Sequence, residues 1–157
     1  RQYADLIKLP PPRLQPCDVV QLLEHLALLF STENRNRRIQ WVWEITAPIP
    51  LVNLDKTQME QVFINICKNA IEAIGTDGTI TIRTGQNGSR AYVCIEDTGP
   101  GIPPDILQQL FTPFFSTKEH GQGIGLTMTQ EILIQHGFDF SITSEPGQPT
   151  RFTIYFS

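Results

Sequence analysis

Asn65 and Asn69 stand four residues apart in a stretch, Asp55 to Ile74, that otherwise reads as a helix. Wound at about 100° per residue, Gln58, Gln61, Asn65, Lys68, Asn69 and Glu72 share one sector about 100° wide. Met59, Val62, Phe63, Ile66, Ala70, Ala73 and Ile74, with Ile64, Cys67 and Ile71, fill the rest of the girth. Asparagine is a mediocre helix former, and surface helices usually carry Lys and Glu on the polar face, so an amide-rich stripe wants a reason. Neutral amide oxygens aimed into a partly enclosed site suit a hard cation such as Mg²⁺, which keeps waters and phosphate oxygens in its shell. Two incidental asparagines on a solvated face give the same pattern.

Three further segments carry chemistry. In Asp97-Thr98-Gly99-Pro100-Gly101 a carboxylate at a strand end lies beside glycines, so it can accept hydrogen bonds from a ligand amine while bare backbone comes close. An Asp-Gly turn is the plainer reading. Gly121-Gln122-Gly123-Ile124-Gly125-Leu126 runs straight into a helix, where glycine amides and the helix dipole make an anion site. It matches neither the Walker A loop nor the dinucleotide GxGxxG pattern. Between them, Phe111–Lys118 is aromatic and then basic; three phenylalanines want burial, and Lys118 is a point charge that can reach a phosphate.

The elements that must position these groups follow from periodicity. Asp18 is a good N-cap for a helix from Val19 to about Asn34, with Val19, Leu22, Leu23, Leu26, Leu29 and Phe30 at helical spacing. Ile39–Ile45 reads as a strand with Ile39, Trp41, Trp43 and Ile45 on one face, and a short extended piece ends near Asn53. After the Asp55–Ile74 helix, Thr79–Thr84 and Ala91–Glu96 alternate around Asn87-Gly88, a strong hairpin signal. A loop with room for a short helix near Asp105–Leu110 leads to a helix over Ile124–His136, then to strands over Phe138–Ser144 and Arg151–Phe156. The pattern predicts an α+β fold: a two-layer α/β sandwich with three main helices on one face of a mixed, mostly antiparallel sheet.

Composition bounds the class. The 157 residues suit one domain, and 40% hydrophobic with 18% charged residues is ordinary for a globular chain. A net charge of -4 is a poor balance for a nucleic-acid binder, so none is expected as a partner. Gly and Pro cluster: Gly99 to Gly125 holds five Gly and four Pro. Cys17, Cys67 and Cys94 form no CxxC pair, which fits small core hydrophobes in a reducing compartment. No apolar run is long enough for a membrane span, so no membrane contact by this piece is expected. Pro10-Pro11-Pro12 and Pro16 stop any preceding helix, and Leu9–Cys17 reads as a linker.

Taken together, in this order and spacing, the blocks resemble the ATP-binding catalytic domain of sensor histidine kinases. That domain belongs to the superfamily of type II topoisomerases, heat-shock chaperones of the ninety-kilodalton class and mismatch-repair ATPases. Gln61–Ala73 is similar to the N box, Asp97–Gly101 to the G1 box, Phe111–Lys118 to the F box and Gly121–Leu126 to the G2 box. Pro146–Phe152 is similar to the closing GxGTxF strand, with Pro149 where the second glycine falls. The resemblance covers roughly Asp18 to Phe156 and implies a Bergerat-type ATP-binding fold with ATP and Mg²⁺ as cofactors.

It also implies roles. Asn69 would coordinate Mg²⁺, Asn65 would join the metal–phosphate network, and Lys118 would reach the γ-phosphate; these three are the expected catalytic residues. Asp97 would accept the adenine amino group, with Thr150 assisting through water. Gly99 and Gly101 would line the base pocket, and Gly121, Gly123 and Gly125 would present amides to the phosphates. Lys68, Glu72, Ala73, Ile102, Phe115, Thr117, Gln122, Ile124 and Leu126 complete the expected ATP-binding set, and about Ile102 to Gln122 would be a lid ordering over nucleotide.

Hydrolases of the superfamily carry a glutamate base four residues before the metal-binding Asn, where this chain has Asn65. An amide cannot take a proton from water at neutral pH, so transfer to a better nucleophile is expected over hydrolysis. His25, His120 and His136 lack the pattern of a phosphoacceptor. Arg1–Cys17 would then be the end of a dimerisation and phosphoacceptor helix plus linker, and 18–157 the catalytic domain. The expected partners are the phosphoacceptor domain of the same protein and a response regulator. The piece itself is expected to be monomeric and cytoplasmic, whether or not its parent is membrane-anchored. An anti-sigma-type serine kinase and a non-catalytic nucleotide-binding module share the fold and stand as alternatives.

Overall fold

The structure is a computed structural model that describes residues 9–46, 48–109 and 123–156, with side chains of the last segment from 126 onward. Helix α1 (Val19–Glu33) starts where the Asp18 carboxylate accepts the Gln21 N–H at 3.1 Å. Its Leu22, Leu23, Leu26 and Phe30 are buried, and Phe30 stacks on Trp41 of β2 (Arg38–Ile45). Asp55 caps α2 (Lys56–Ile74) through the Gln58 N–H at 3.1 Å. The hairpin β4 (Asp77–Asn87) and β5 (Arg90–Asp97) turns at the expected place, with strands longer than the alternation alone indicated. A single turn of helix, α3 (Pro104–Leu107), precedes α4 (Gly123–His136), β6 (Asp139–Thr143) and β7 (Thr150–Phe156).

The main sheet has five strands in the order β2-β4-β5-β7-β6. β2 runs parallel to β4, and every other neighbouring pair is antiparallel. A parallel neighbour needs a crossover, and α2 supplies it. Ile80, Ile82, Val93, Ile95, Phe152 and Ile154 turn one face of the sheet into the core, against Met59, Val62, Phe63 and Ile66 of α2 and Ile132 and Leu133 of α4. The opposite face carries a row of charges, one from each of four strands. Arg83 pairs with Glu44 and Glu96 at 2.7 Å each, and Arg151 pairs with Glu96 at 2.6 Å. The expected mixed sheet with helices on one face is therefore what forms.

The segment expected to be a linker contains structure. Gln15–Cys17 is a short strand, β1, antiparallel to β3 (Val52–Leu54). Two bonds from the start of α2 hold it down: Arg13 N–H donates to Asp55 Oδ2 at 3.0 Å, and Gln58 Nε2 donates to the Pro10 carbonyl at 2.9 Å. Prolines lack the donor but keep the carbonyl, so a proline-rich strap can still be fastened by a side-chain amide. Cys67 is fully packed and burial pushes its thiol up to about 12, which makes it a core group and not a nucleophile. Among the described residues no helix is long and apolar enough to cross a membrane.

The charged row makes a pH-dependent contribution. Hydrogen bonds from Arg83, then Arg151, hold the Glu96 carboxyl below the ordinary glutamate range. A depressed native pKa means the stabilisation is complete above the unfolded value of about 4.3 and fades as pH falls through the native value. Thermal melts from pH 6 to pH 3 should show a smaller acid-induced loss for Glu96→Gln than for wild type. Parallel pH profiles would show that the row contributes nothing.

Candidate nucleotide site

Asp97 ends β5 and is 7% exposed. Ladder register places it between Ile80 of β4 and Thr150 of β7. Its Oδ1 accepts the Gly99 N–H at 2.8 Å, which folds the chain back over the carboxylate. A Cβ on Gly99 would lie 2.9 Å from Asp97 Oδ1 and 3.0 Å from the Cβ of Ala73, in the last turn of α2. Asp97, Gly99 and Ala73, all in the expected ATP-binding set, are thus brought together. Thr98 fixes the near side of the loop: its N–H donates to the Thr79 carbonyl at 3.1 Å, and its Oγ1 accepts the Thr79 N–H at 2.9 Å.

The far side of the loop is fastened to the β6–β7 turn. Gly147 N–H donates to the Pro100 carbonyl at 2.8 Å, and Ile102 N–H donates to Ser144 Oγ at 2.8 Å. Gly101 has φ +86°, and a Cβ there would lie 2.0 Å from the Glu145 carbonyl oxygen. Only glycine fits that point, for both conformation and space. Thr150 Oγ1 lies 2.7 Å from Ser144 Oγ, so the expected water-assisting hydroxyl belongs to the same fastening.

The polar stripe of α2 divides. Gln58 is buried against the N-terminal strap, and Gln61 is exposed. Asn65 and Asn69 are half-buried; the Asn65 amide nitrogen lies 3.5 Å from Thr129 Oγ1 of α4, which packs against α2. Lys68 and Glu72 are exposed and line a groove of about 380 Å³ with Leu26, Leu29, Phe30 and Glu33 of α1. They therefore face α1, while Asn65 faces α4. Among the described residues no group of three or more His, Cys, Asp and Glu is arranged to hold a metal; the Asn65 and Asn69 side chains offer neutral amide oxygens, a donor type that Mg²⁺ accepts.

Gly123, Ile124 and Gly125 form the first turn of α4, where backbone N–H groups have no partner within the helix. That is the placement an anion site needs. Leu126 follows, half-buried. Phe115, Thr117, Lys118, Gly121, Gln122 and His120, with most of the expected lid, lie outside the described residues.

Sequence reasoning missed two groups. Ser144 gave no signal, because its partner Thr150 is across a turn and a pair of hydroxyls has no spacing rule. His136, expected only to be no phosphoacceptor, bridges two helices: its Nε2 accepts the Asp55 N–H at 3.0 Å while its Nδ1 lies 2.8 Å from the Ile132 carbonyl. It ties the end of α4 to the start of α2.

The model of the histidine kinase-, DNA gyrase B-, and HSP90-like ATPases matches residues 54–157, and the chain belongs to that family, an ATP-binding one. Among curated relatives, the sensor histidine kinase ZraS of Escherichia coli (strain K12) is 33% identical over 99% of this chain. The chain spans about a third, 34%, of that relative's length. The solved catalytic domain of the histidine kinase ThkA superposes with a TM-score of 0.82 at 28% identity, covering 92% of this chain and 95% of that one. ThkA in complex with the response regulator protein TrrA gives 0.80 at 25% identity, covering 99% of this chain and 45% of that one.

The fastening at Gly101 generates a direct test. Gly101→Ala combines a disfavoured backbone region with a clash against main chain, and should destabilise the loop by more than about 1 kcal/mol. It should cut nucleotide affinity at least as strongly as removal of the Asp97 carboxylate does. Unchanged melting and unchanged affinity would show that the loop has another path.

Proposed function

We propose that this chain is the catalytic domain of a two-component sensor histidine kinase. It binds Mg²⁺–ATP and delivers the γ-phosphate to a histidine on a phosphoacceptor domain outside residues 18–157. The observation that carries the reading is the loop Asp97–Gly101, in which a buried carboxylate and two glycines are held in one fastened turn.

In this reading Asp97 accepts the adenine amine, with Gly99, Gly101, Ile102, Ala73 and Thr150 around the base. The first-turn amides of α4, with Gly121 and Gln122 ahead of them, receive the phosphates. Asn69 holds Mg²⁺ and Asn65 joins it in orienting the phosphates; both offer neutral oxygens that do not compete with phosphate for charge. Bound Mg²⁺ supplies neutralisation of phosphate charge. Lys118 serves the γ-phosphate, and the span from Ile102 to Gln122 serves as lid, with Phe115 and Thr117 within it. Lys68 and Glu72 act at the edge nearer α1.

Asn65 shapes the choice of reaction. No carboxylate stands at that position to activate water, so positioning and charge neutralisation serve transfer to an imidazole better than hydrolysis. The domain is monomeric alone, and a response regulator takes the phosphoryl group onward. The similarity to ThkA, solved with a response regulator, supports that partner class.

Transfer from radiolabelled ATP to a phosphoacceptor domain supplied in trans should give an acid-labile, base-stable phosphoramidate. An acid-stable ester would instead identify a serine kinase. Asp97→Ala should weaken ATP binding by about 10- to 100-fold, the worth of a hydrogen bond to a charged group. Asn69→Ala should lose chiefly the Mg²⁺ dependence. Equal, metal-independent binding by wild type and Asn69→Ala would refute the role of Asn69.

A further inference from the structure

One backbone amide and two hydroxyls form a chain from the loop that leaves β5 to the start of β7. Ile102 N–H donates to Ser144 Oγ at 2.8 Å, and Ser144 Oγ lies 2.7 Å from Thr150 Oγ1. Thr150 is in ladder register with Asp97. The turn around Ser144 is tightly held: Gln148 N–H donates to the Glu145 carbonyl at 2.9 Å, Gly147 N–H donates to the Pro100 carbonyl at 2.8 Å, and Gly101 abuts the Glu145 carbonyl. The Ser144 oxygen already receives a hydrogen from Ile102. Accepting a hydrogen bond polarises a hydroxyl and makes it the better donor of a pair.

We propose that Ser144 is a positioning residue for nucleobase recognition: it accepts from the Ile102 amide and donates to Thr150, so that the Thr150 proton is turned toward the base edge beside Asp97. The inference rests on the reading that Asp97 receives the exocyclic amine of adenine. An adenine edge offers an amine donor next to a ring-nitrogen acceptor. A carboxylate that accepts and a hydroxyl held as donor, directly or through water, match that order. Hypoxanthine presents the reverse, a carbonyl acceptor next to a ring N–H donor, and opposes both groups. Ser144 thereby sets base specificity without touching the base. Were the proton to run from Thr150 to Ser144, Thr150 would offer only lone pairs and this preference would be lost.

Competition against a fluorescent ATP analogue, with ATP and inosine triphosphate as competitors, tests the assignment. Ser144→Ala should lower ATP affinity about 3- to 10-fold, the worth of one neutral hydrogen bond, and leave inosine triphosphate within about twofold. The ratio of the two affinities therefore shrinks. Ser144→Thr should restore the ratio, and Ser144→Ala should not change it further in a Thr150→Val background. If Ser144→Ala does not fold, Ser144→Cys, with a weak donor of similar size, should shrink the ratio in the same direction. Equal loss for both nucleotides, or no loss, would make Ser144 a merely structural contact and overturn the proposal while wild-type discrimination and its dependence on Asp97 leave the pocket reading intact. Equal binding of both nucleotides by wild type, or full ATP affinity in Asp97→Ala, would overturn the pocket reading and this proposal with it.

Discussion

A carboxylate as buried as Asp97 needs hydrogen-bond donors close by, because a bare charge in that position is costly. Gly99 N–H supplies one from two residues ahead, and the loop that follows brings Gly99 against Ala73 and Gly101 against the Glu145 carbonyl. A side chain does not fit at either point. The glycines follow from the carboxylate, and the fastenings to Thr79, Ser144 and Gly147 follow from the need to hold bare backbone still. A fastened loop of bare backbone around one buried acceptor is the result.

The same constraint explains why α2 serves both core and site. Met59, Val62, Phe63 and Ile66 are buried against the sheet, which fixes the rotation of the helix about its axis. Once that rotation is fixed, Asn65 can only face α4 and Ala73 can only meet Gly99. The start of α2 is held as firmly: Asp55 takes the Arg13 amide, His136 takes the Asp55 amide, and Gln58 holds Pro10. The N-terminal strap is therefore fastened directly to the helix that carries both asparagines.

Much of this was legible in the chain. Period-3.6 apolar spacing gave α1 and α2 nearly to the residue, because both have good Asp caps and a clean apolar face. Asn87-Gly88 located the hairpin, since its geometry depends on the two residues themselves. The segments proposed for the site stood out because glycine and asparagine are poor choices unless backbone or chemistry demands them. What escaped was long-range and made by common residues. β1 pairs with β3 across 37 positions, Pro16 opposite Asn53; the extended piece near Asn53 was expected, but the three residues of β1, inside a proline-rich segment, are too few to show alternation. The fastening of Gln58 to a proline carbonyl, the bridge at His136 and the Ser144–Thr150 pair all depend on partners that only the fold brings near. The division of the α2 stripe between α1 and α4 likewise follows from packing, not from helical angle.

The net charge of -4 sets the electrostatic problem for a polyanionic ligand: attraction has to come from Mg²⁺, helix-terminal amides and local side chains, since the overall field opposes approach. Calorimetric titration of the wild-type chain with ATP, in Mg²⁺ and again in excess chelator, addresses this most directly. The account predicts saturable one-site binding that weakens markedly when the metal is removed. Absence of measurable ATP binding at millimolar concentration in the presence of Mg²⁺ would contradict it.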